Sequence, residues 1–392
     1  MKFVRNFFKQ NQIFLLLSII FGLICLGYFT RGFYFLIIDK QVGAADLYSR
    51  WQEQQYIYRG SYPYDVTAGS LQVDPELGAV TSGFYPPWAF FMGFIVFPPI
   101  PFELTRWYHL ILNTISLIIL ATFAYQIGRS HGKSKAWFIV IACLSISSHA
   151  TTLGTGQYGI IINALLIGMF WLLEKNRNVI AGLIFGLALA KPNISALYFL
   201  ILIIRKNTQS VLACLFYVLL ASLTIGFATQ VSPIYMLAKT VNKSKYFVKT
   251  GYSGVNVFIN LGIEPTEATI MLALFGTAIL ITIFYFFRHH SLIFLFAIAA
   301  VIGRLWTYHL AYDNVMLIFL LLAMFKITFQ KYQFSNVLLL SLVLVSLLIP
   351  SSITDLAYVR IAQSIIWISA LIYLLIHEKQ FRMSTDCLSQ HS

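Results

Sequence analysis

The sequence predicts an all-α polytopic membrane protein, a bundle of about twelve helical spans with a long outer loop after the first. Three observations predict it. Of the 392 residues, 59% are hydrophobic and only 10% charged, where a soluble domain carries about 25% charged residues. Mean hydropathy is +0.77. Apolar runs long enough for a membrane helix recur along the whole chain. Soluble classes are thereby excluded. The net charge of +13 would suggest nucleic acid in a soluble protein. Here most Lys and Arg lie between apolar runs, where they set topology and meet anionic lipid, so no nucleic-acid partner is expected. The four cysteines, Cys25, Cys143, Cys214 and Cys387, show no disulfide or metal spacing.

Element by element, the spans are expected at about 13–30, 103–128, 136–150, 158–174, 179–190, 194–204, 208–229, 267–287, 291–306, 313–327, 335–350 and 359–376. The first follows a basic N-terminus and lacks a small-x-small cleavage site, so it reads as an uncleaved span with its basic end inside. The run 86–98 is apolar but short and Pro-bounded, and is either a thirteenth span or a re-entrant or interfacial segment. With that run not crossing, the short loops GRSHGKSK, EKNRN, Arg205–Lys206 and Arg288–His290 all fall inside, as the positive-inside rule asks. Both termini are then cytoplasmic. Two long loops, 39–106 and 230–267, lie outside a single membrane domain spanning 1–392. The simplest location is a bacterial plasma membrane with the site facing outward.

Polar residues break the apolar pattern in five places. The first outer loop carries DLYSRW with Asp46, then GSYPYD with Tyr64, then GFYPPW with Tyr85. An aromatic belt at the membrane surface accounts for the tyrosines but not for the acid. Asp39, Glu53, Asp65, Asp74 and Glu76 compete with Asp46, which is favoured for its place near the membrane boundary. Lys191, in Lys191-Pro192-Asn193, is the turning point between two basic inside loops, so two half-spans meet there. A lysine at the apolar centre of a span costs about 2.5–3.5 kcal/mol. It either snorkels outward or faces an anion in a cavity. The stretch VIGRLWTYHLAYDNVML offers Arg304 and His309, with Asp313 four residues beyond. His309 and Asp313 share a face if the helix continues, either as a packing pair or as part of a site. No further ligands cluster with them, so no metal is expected. LGTGQYGIIIN places Gly154 and Gly156 for close packing, a reading that does not account for Gln157. Lys239, Lys243, Lys245 and Lys249 make the second outer loop basic, either as a solvated face or for an anionic acceptor or head group.

Asp46, Lys191, Arg304 and His309 all fall on the outer side. Cations would hold a negatively charged substrate while one carboxylate acts as general base. Glycosidases need a second carboxylate to protonate an alkoxide leaving group. A phosphate leaving group needs only charge stabilisation. One base with several cations therefore suits glycosyl transfer from a lipid phosphate.

The ordered set DLYSRW, GSYPYD, FYPPWAFF, GQYGIIINALL, AGLIFGLALAKPN and GRLWTYHLAYDNVML, over roughly residues 40–320, resembles the multi-spanning GT-C glycosyltransferases, most closely glycosyltransferase family 87. The resemblance implies a GT-C-like helical bundle, a polyprenyl-phosphate-sugar donor such as polyprenyl-phosphate-mannose, inversion at the sugar carbon, and no cofactor or obligatory metal. It implies Asp46 as catalytic base, His309 as an active-site histidine, and Lys191 with Arg304 at the donor phosphate. Tyr64, Tyr85 and Gln157 are expected to bind substrate. Asp46 departs from the paired acids of many GT-C families, being followed by Leu47. The acceptor is expected to be a lipid or glycan hydroxyl. A transporter or flippase for an anionic lipid or solute is the alternative, because broken half-spans with a buried charge also mark transporters.

Overall fold

The computed structural model describes residues 2–80, 85–247, 254–306 and 308–382. It is helical, with no strand among them. In chain order the helices are α1 Lys2–Phe33, α2 Ala45–Tyr58, α3 Pro63–Thr67, α4 Pro87–Val96, α5 Phe102–Gly128, α6 Lys133–Leu144, α7 Ser147–Thr155 and α8 Gly159–Glu174. There follow α9 Asn178–Ala188, α10 Pro192–Ser195, α11 Tyr198–Ile204, α12 Thr208–Thr229, α13 Pro233–Phe247, α14 Gly254–Asn260, α15 Pro265–Phe287 and α16 Leu292–Trp306. The last four are α17 Ile318–Gln330, α18 Phe334–Leu348, α19 Ser351–Thr354 and α20 Ala357–Arg382. A 3₁₀ helix, Ala311–Leu317, leads into α17.

Six of these elements are long and apolar enough to cross a membrane, and a seventh forms if α6 and α7, bent by 45°, count as one span. The expected count of about twelve is therefore not established by length. Five further apolar helices, α4, α8, α9, α16 and α18, are shorter. The expected span at 194–204 is split into α10 and α11. The seven residues of α11 extend only about 10 Å, a third of a bilayer core. Helix α4, with ten residues, reaches about 15 Å, half a bilayer core, and its Trp88 indole donates to the Leu189 carbonyl across 2.9 Å.

The centre of the bundle is α16 and α17. Leu292–Arg304 and nearly all of α17 are buried, and both are apolar all round, as a fully enclosed helix must be. Phe123, Phe170, Tyr198, Phe296 and Phe319 lock α5, α8, α11, α16 and α17 edge to face, with ring centroids 4.9 to 5.8 Å apart. The outer helices expose apolar side chains instead. Leu15, Leu16 and Leu23 on α1, Phe216 on α12 and Phe275 and Phe286 on α15 are the outward surface. On this scale such a surface requires lipid rather than water.

The segment 39–106 carries α2, α3, α4 and the start of α5. Pro63 and Pro87 sit at the first position of α3 and α4, where proline has no hydrogen bond to lose, and Asp46 and Asp65 occupy first turns, where the helix dipole favours an acid. In the segment 230–267, Lys239 on α13 pairs with Asp65. Lys249, Gly83, Phe84 and Cys387 lie outside the described residues, as do the side chains of Lys243 and Lys245.

Candidate functional site

The site begins where the first span ends. Arg106 on α5 is buried and donates to the carbonyls of Leu36 (2.5 Å) and Asp39, capping the end of α1's extension. A cation on the last carbonyls satisfies acceptors that no helical N–H can reach. The chain then turns sharply. A side chain on Gly43 would place its Cβ 1.8 Å from the Phe35 carbonyl oxygen, and Ala44 adopts a left-handed φ of 56°. The Ala44 N–H is held by the Gly154 carbonyl at 2.8 Å. This turn starts α2 with Asp46 in its first turn, half-buried.

The glycines of GTGQY explain the partner. Gly156 has φ 79°, and a Cβ there would lie 2.2 Å from Leu47 Cβ. Only glycine lets the end of α7 rest directly on α2. That approach brings the Gln157 amide to Asp46, donating to Oδ2 at 2.8 Å. Gly156→Ala combines a left-handed alanine with an overpacked contact. It is expected to destabilise the protein by about 2–4 kcal/mol and to lower activity by separating Gln157 from Asp46. Thermal unfolding in detergent, read beside transfer rate, checks this.

Gln157 also faces Lys191. Helix α9 stops at Ala188, the backbone turns, and Pro192 opens α10, so Lys191 projects from a break between short helices. It is only 3% exposed. Its ammonium donates to Gln157 Oε1 at 3.0 Å and to Asp313 Oδ1 at 2.7 Å. It also sits 4.8 Å from the centroid of the Tyr312 ring. Snorkelling to the surface is thus not what Lys191 does.

Asp313 is the hub on the other side. Its Oδ2 accepts from the Leu310 N–H at 3.2 Å and faces His309 Nδ1 at 3.1 Å and Asn193 Nδ2 at 3.5 Å. His309 is fully buried, and its Nε2 meets the Gly303 carbonyl at 3.0 Å. The helix does not continue through this pair. Asp313 instead caps the 3₁₀ turn that starts at Ala311. Arg304 is buried one turn back, donating to Asn314 Oδ1 at 2.5 Å and lying over the Trp367 ring.

The structure therefore joins Asp46, Gln157, Lys191, Asp313 and His309 in one hydrogen-bonded chain. Arg304 borders it within electrostatic range of His309. Tyr64 and Tyr85 belong to an adjoining cluster. The Tyr64 hydroxyl accepts from the Tyr85 N–H at 2.9 Å, and Tyr64 is buried, which pushes its phenol well above the ordinary range and keeps it neutral. Tyr85 is half-exposed and covers the Arg50 guanidinium at 4.1 Å from its ring centroid. Arg50 pairs with buried Glu53 at 2.6 Å.

Sequence reasoning assigned no role to Arg50, Glu53 or Tyr312, weighing Glu53 only as a competitor of Asp46. The first two had a readable signal. They stand four and seven residues after Asp46, one face of a helix, once DLYSRWQE is read as helical. Tyr312 had none, since only the fold brings it to Gln157. Among the described residues, no three His, Cys, Asp or Glu side chains assemble as metal ligands.

Residues 84–256 match the model of glycosyltransferase family 87, a stretch that contains Tyr85, Gln157 and Lys191. Asp46, Arg304, His309 and Asp313 lie outside it and join the site only through the fold. No curated protein and no solved structure matches the chain. Over residues 84–256, under half of the 392-residue chain, the protein is thus similar to glycosyltransferase family 87.

Proposed function

We propose that the protein moves a hexose, mannose being the favoured sugar, from a polyprenyl-phosphate donor to a lipid or glycan hydroxyl at the outer face of a bacterial plasma membrane. The observation that carries this reading is the state of Asp46. Gln157 holds Oδ2, while Oδ1 has no hydrogen bond among the described residues and the side chain is half-exposed. A carboxylate with one oxygen anchored and the other open suits a general base.

In the proposed reaction Asp46 Oδ1 takes the proton of the acceptor hydroxyl. The oxygen attacks the anomeric carbon from the side opposite the phosphate, and the carbon–oxygen bond to phosphate breaks. The electron pair leaves on the polyprenyl phosphate, so the sugar carbon inverts. No proton donor is required at the leaving oxygen, only positive charge. Lys191 and Arg304 supply that charge. Lys191 also fixes the base through Gln157, and His309 holds Asp313 against Lys191. Tyr64 and Tyr85 shape the wall nearest the sugar.

The lipid tail of the donor is supported by a second feature. An apolar cavity of about 290 Å³ lies between α14, α15 and α16, lined by Leu272, Gly276, Ile302, Trp306 and Tyr308. Tyr308 precedes His309, so the cavity adjoins the polar chain. The test is sugar transfer in membranes expressing the chain, given labelled polyprenyl-phosphate sugars and a crude lipid and glycan extract. Transfer from one donor identifies the sugar. With an acceptor pool shown to be adequate, no transfer from any donor sinks the reading.

A transporter or flippase for an anionic lipid remains the second reading, on one observation: a buried cation at a break between short helices. Protection of single-cysteine probes from an outer-side reagent alone, rather than from both sides, separates a one-sided enzyme cavity from a transport path.

A further inference from the structure

The cation placed at the donor phosphate by sequence has no N–H left to give. Each of Lys191's three directions is taken, by Gln157 Oε1, by Asp313 Oδ1 and by the face of Tyr312. Tyr312 is half-exposed where Lys191 is enclosed. Of these two groups in contact, Tyr312 is the more accessible.

The hydroxyl of Tyr312 is set up as a donor. Its oxygen is approached by the Gln157 amide at 3.4 Å, and no other hydrogen bond of this hydroxyl occurs among the described residues. Among the described residues its O–H proton has no acceptor. The same Gln157 amide nitrogen bonds Asp46 Oδ2, so the Tyr312 hydroxyl and the Asp46 carboxylate share one partner. An amide hydrogen bond accepted at the oxygen strengthens the bond its proton can make. A cation against the ring withdraws electron density in the same direction. The Tyr312 backbone is fixed as well, its carbonyl accepting from Thr152 Oγ1 at 3.0 Å.

We propose that Tyr312 is the direct hydrogen-bond donor to the phosphate of the lipid-linked substrate. Lys191 acts on the phosphate through Tyr312 and through its field rather than by contact. This rests on the glycosyl-transfer reading and names the residue that makes its anion contact. No covalent step is added. One phenolic O–H bonds to a phosphate oxygen before and after the glycosidic bond breaks.

Tyr312→Phe tests it, because the ring that covers Lys191 remains and only the hydroxyl is lost. The readout is binding to the purified full-length protein of farnesyl phosphate, with farnesol as the phosphate-free control. A hydrogen bond to a charged group predicts that Tyr312→Phe weakens farnesyl phosphate by about 10-fold or more and leaves farnesol unchanged. Lys191→Met should weaken the phosphate ligand too. Unchanged farnesyl phosphate affinity in Tyr312→Phe overturns the proposal. So does equal weakening of both ligands, which marks a structural role, or a wild type that does not prefer the phosphate. Transfer by the wild type from labelled donors is measured separately. Its absence removes the glycosyl-transfer reading whatever Tyr312 does in binding.

Discussion

Asp46→Asn lowers sugar transfer by about 10²–10⁴-fold, the usual worth of a positioned general base. The substitution keeps the size of the side chain and leaves an oxygen that can still accept from the Gln157 amide. Folding and donor binding should therefore persist. The loss falls on turnover, because the acceptor hydroxyl no longer finds a base at the moment it attacks. Initial rates at matched expression, together with farnesyl phosphate affinity, check this. Asp46→Glu is the informative companion. It restores a carboxylate but displaces it by about one carbon–carbon bond, so partial activity is expected. Full activity in Asp46→Asn moves the base elsewhere, and Glu53, on the same face of α2 but paired with Arg50, becomes the next carboxylate to replace.

The second large effect is on stability. Lys191 and Asp313 form an ion pair at 2.7 Å with 4% and 2% of their side chains exposed. Removing one partner of a buried pair leaves an uncompensated charge and costs about 3–5 kcal/mol. Lys191→Met and Asp313→Asn are each expected to lower the unfolding temperature strongly. Asp313→Asn also removes the carboxylate that His309, Asn193 and the Leu310 N–H share. The double variant Lys191→Met with Asp313→Leu exchanges the pair for apolar side chains of similar reach. It should recover much of the stability, since a buried pair is often neutral against a well-packed apolar replacement. It should not recover transfer, because Gln157 loses its anchor and the site loses its cation. Thermal unfolding in detergent across the three variants reads this. A double variant no more stable than the singles shows that the pair is not what holds α10 to the 3₁₀ turn. Recovery of both stability and transfer removes Lys191 from the mechanism.

Several features of the site were legible in local sequence. The acid in DLYSRW, the lysine before proline and the polar end of GRLWTYHLAYDN each stand out because an apolar chain tolerates few charges. Their convergence could be argued from the expected topology, which puts all three on one side of the membrane. Gln157 was left over by the packing account of its glycines, and the structure shows that the two belong together. The glycine provides the close approach that lets the amide reach Asp46. Arg50 and Glu53 were readable by helical spacing only if the first outer loop was taken as helical. The count of spans was not legible, because short and broken helices such as α4, α10 and α11 carry the same apolar composition as crossing ones.

Composition and charge distribution by themselves indicated a membrane chain, an expected orientation from its basic loops, and a few charges among apolar spans. These are local properties, fixed by the cost of exposing a backbone or a charge to hydrocarbon. The tertiary structure alone decided which charges meet. It paired Lys191 with Asp313, a carboxylate 122 residues away, and set Gln157 between that pair and Asp46. It also laid the Tyr312 ring over the ammonium. Such pairings follow from how helices pack. A buried charge must find a partner somewhere in the fold, and no periodicity in one stretch of chain records which partner that is.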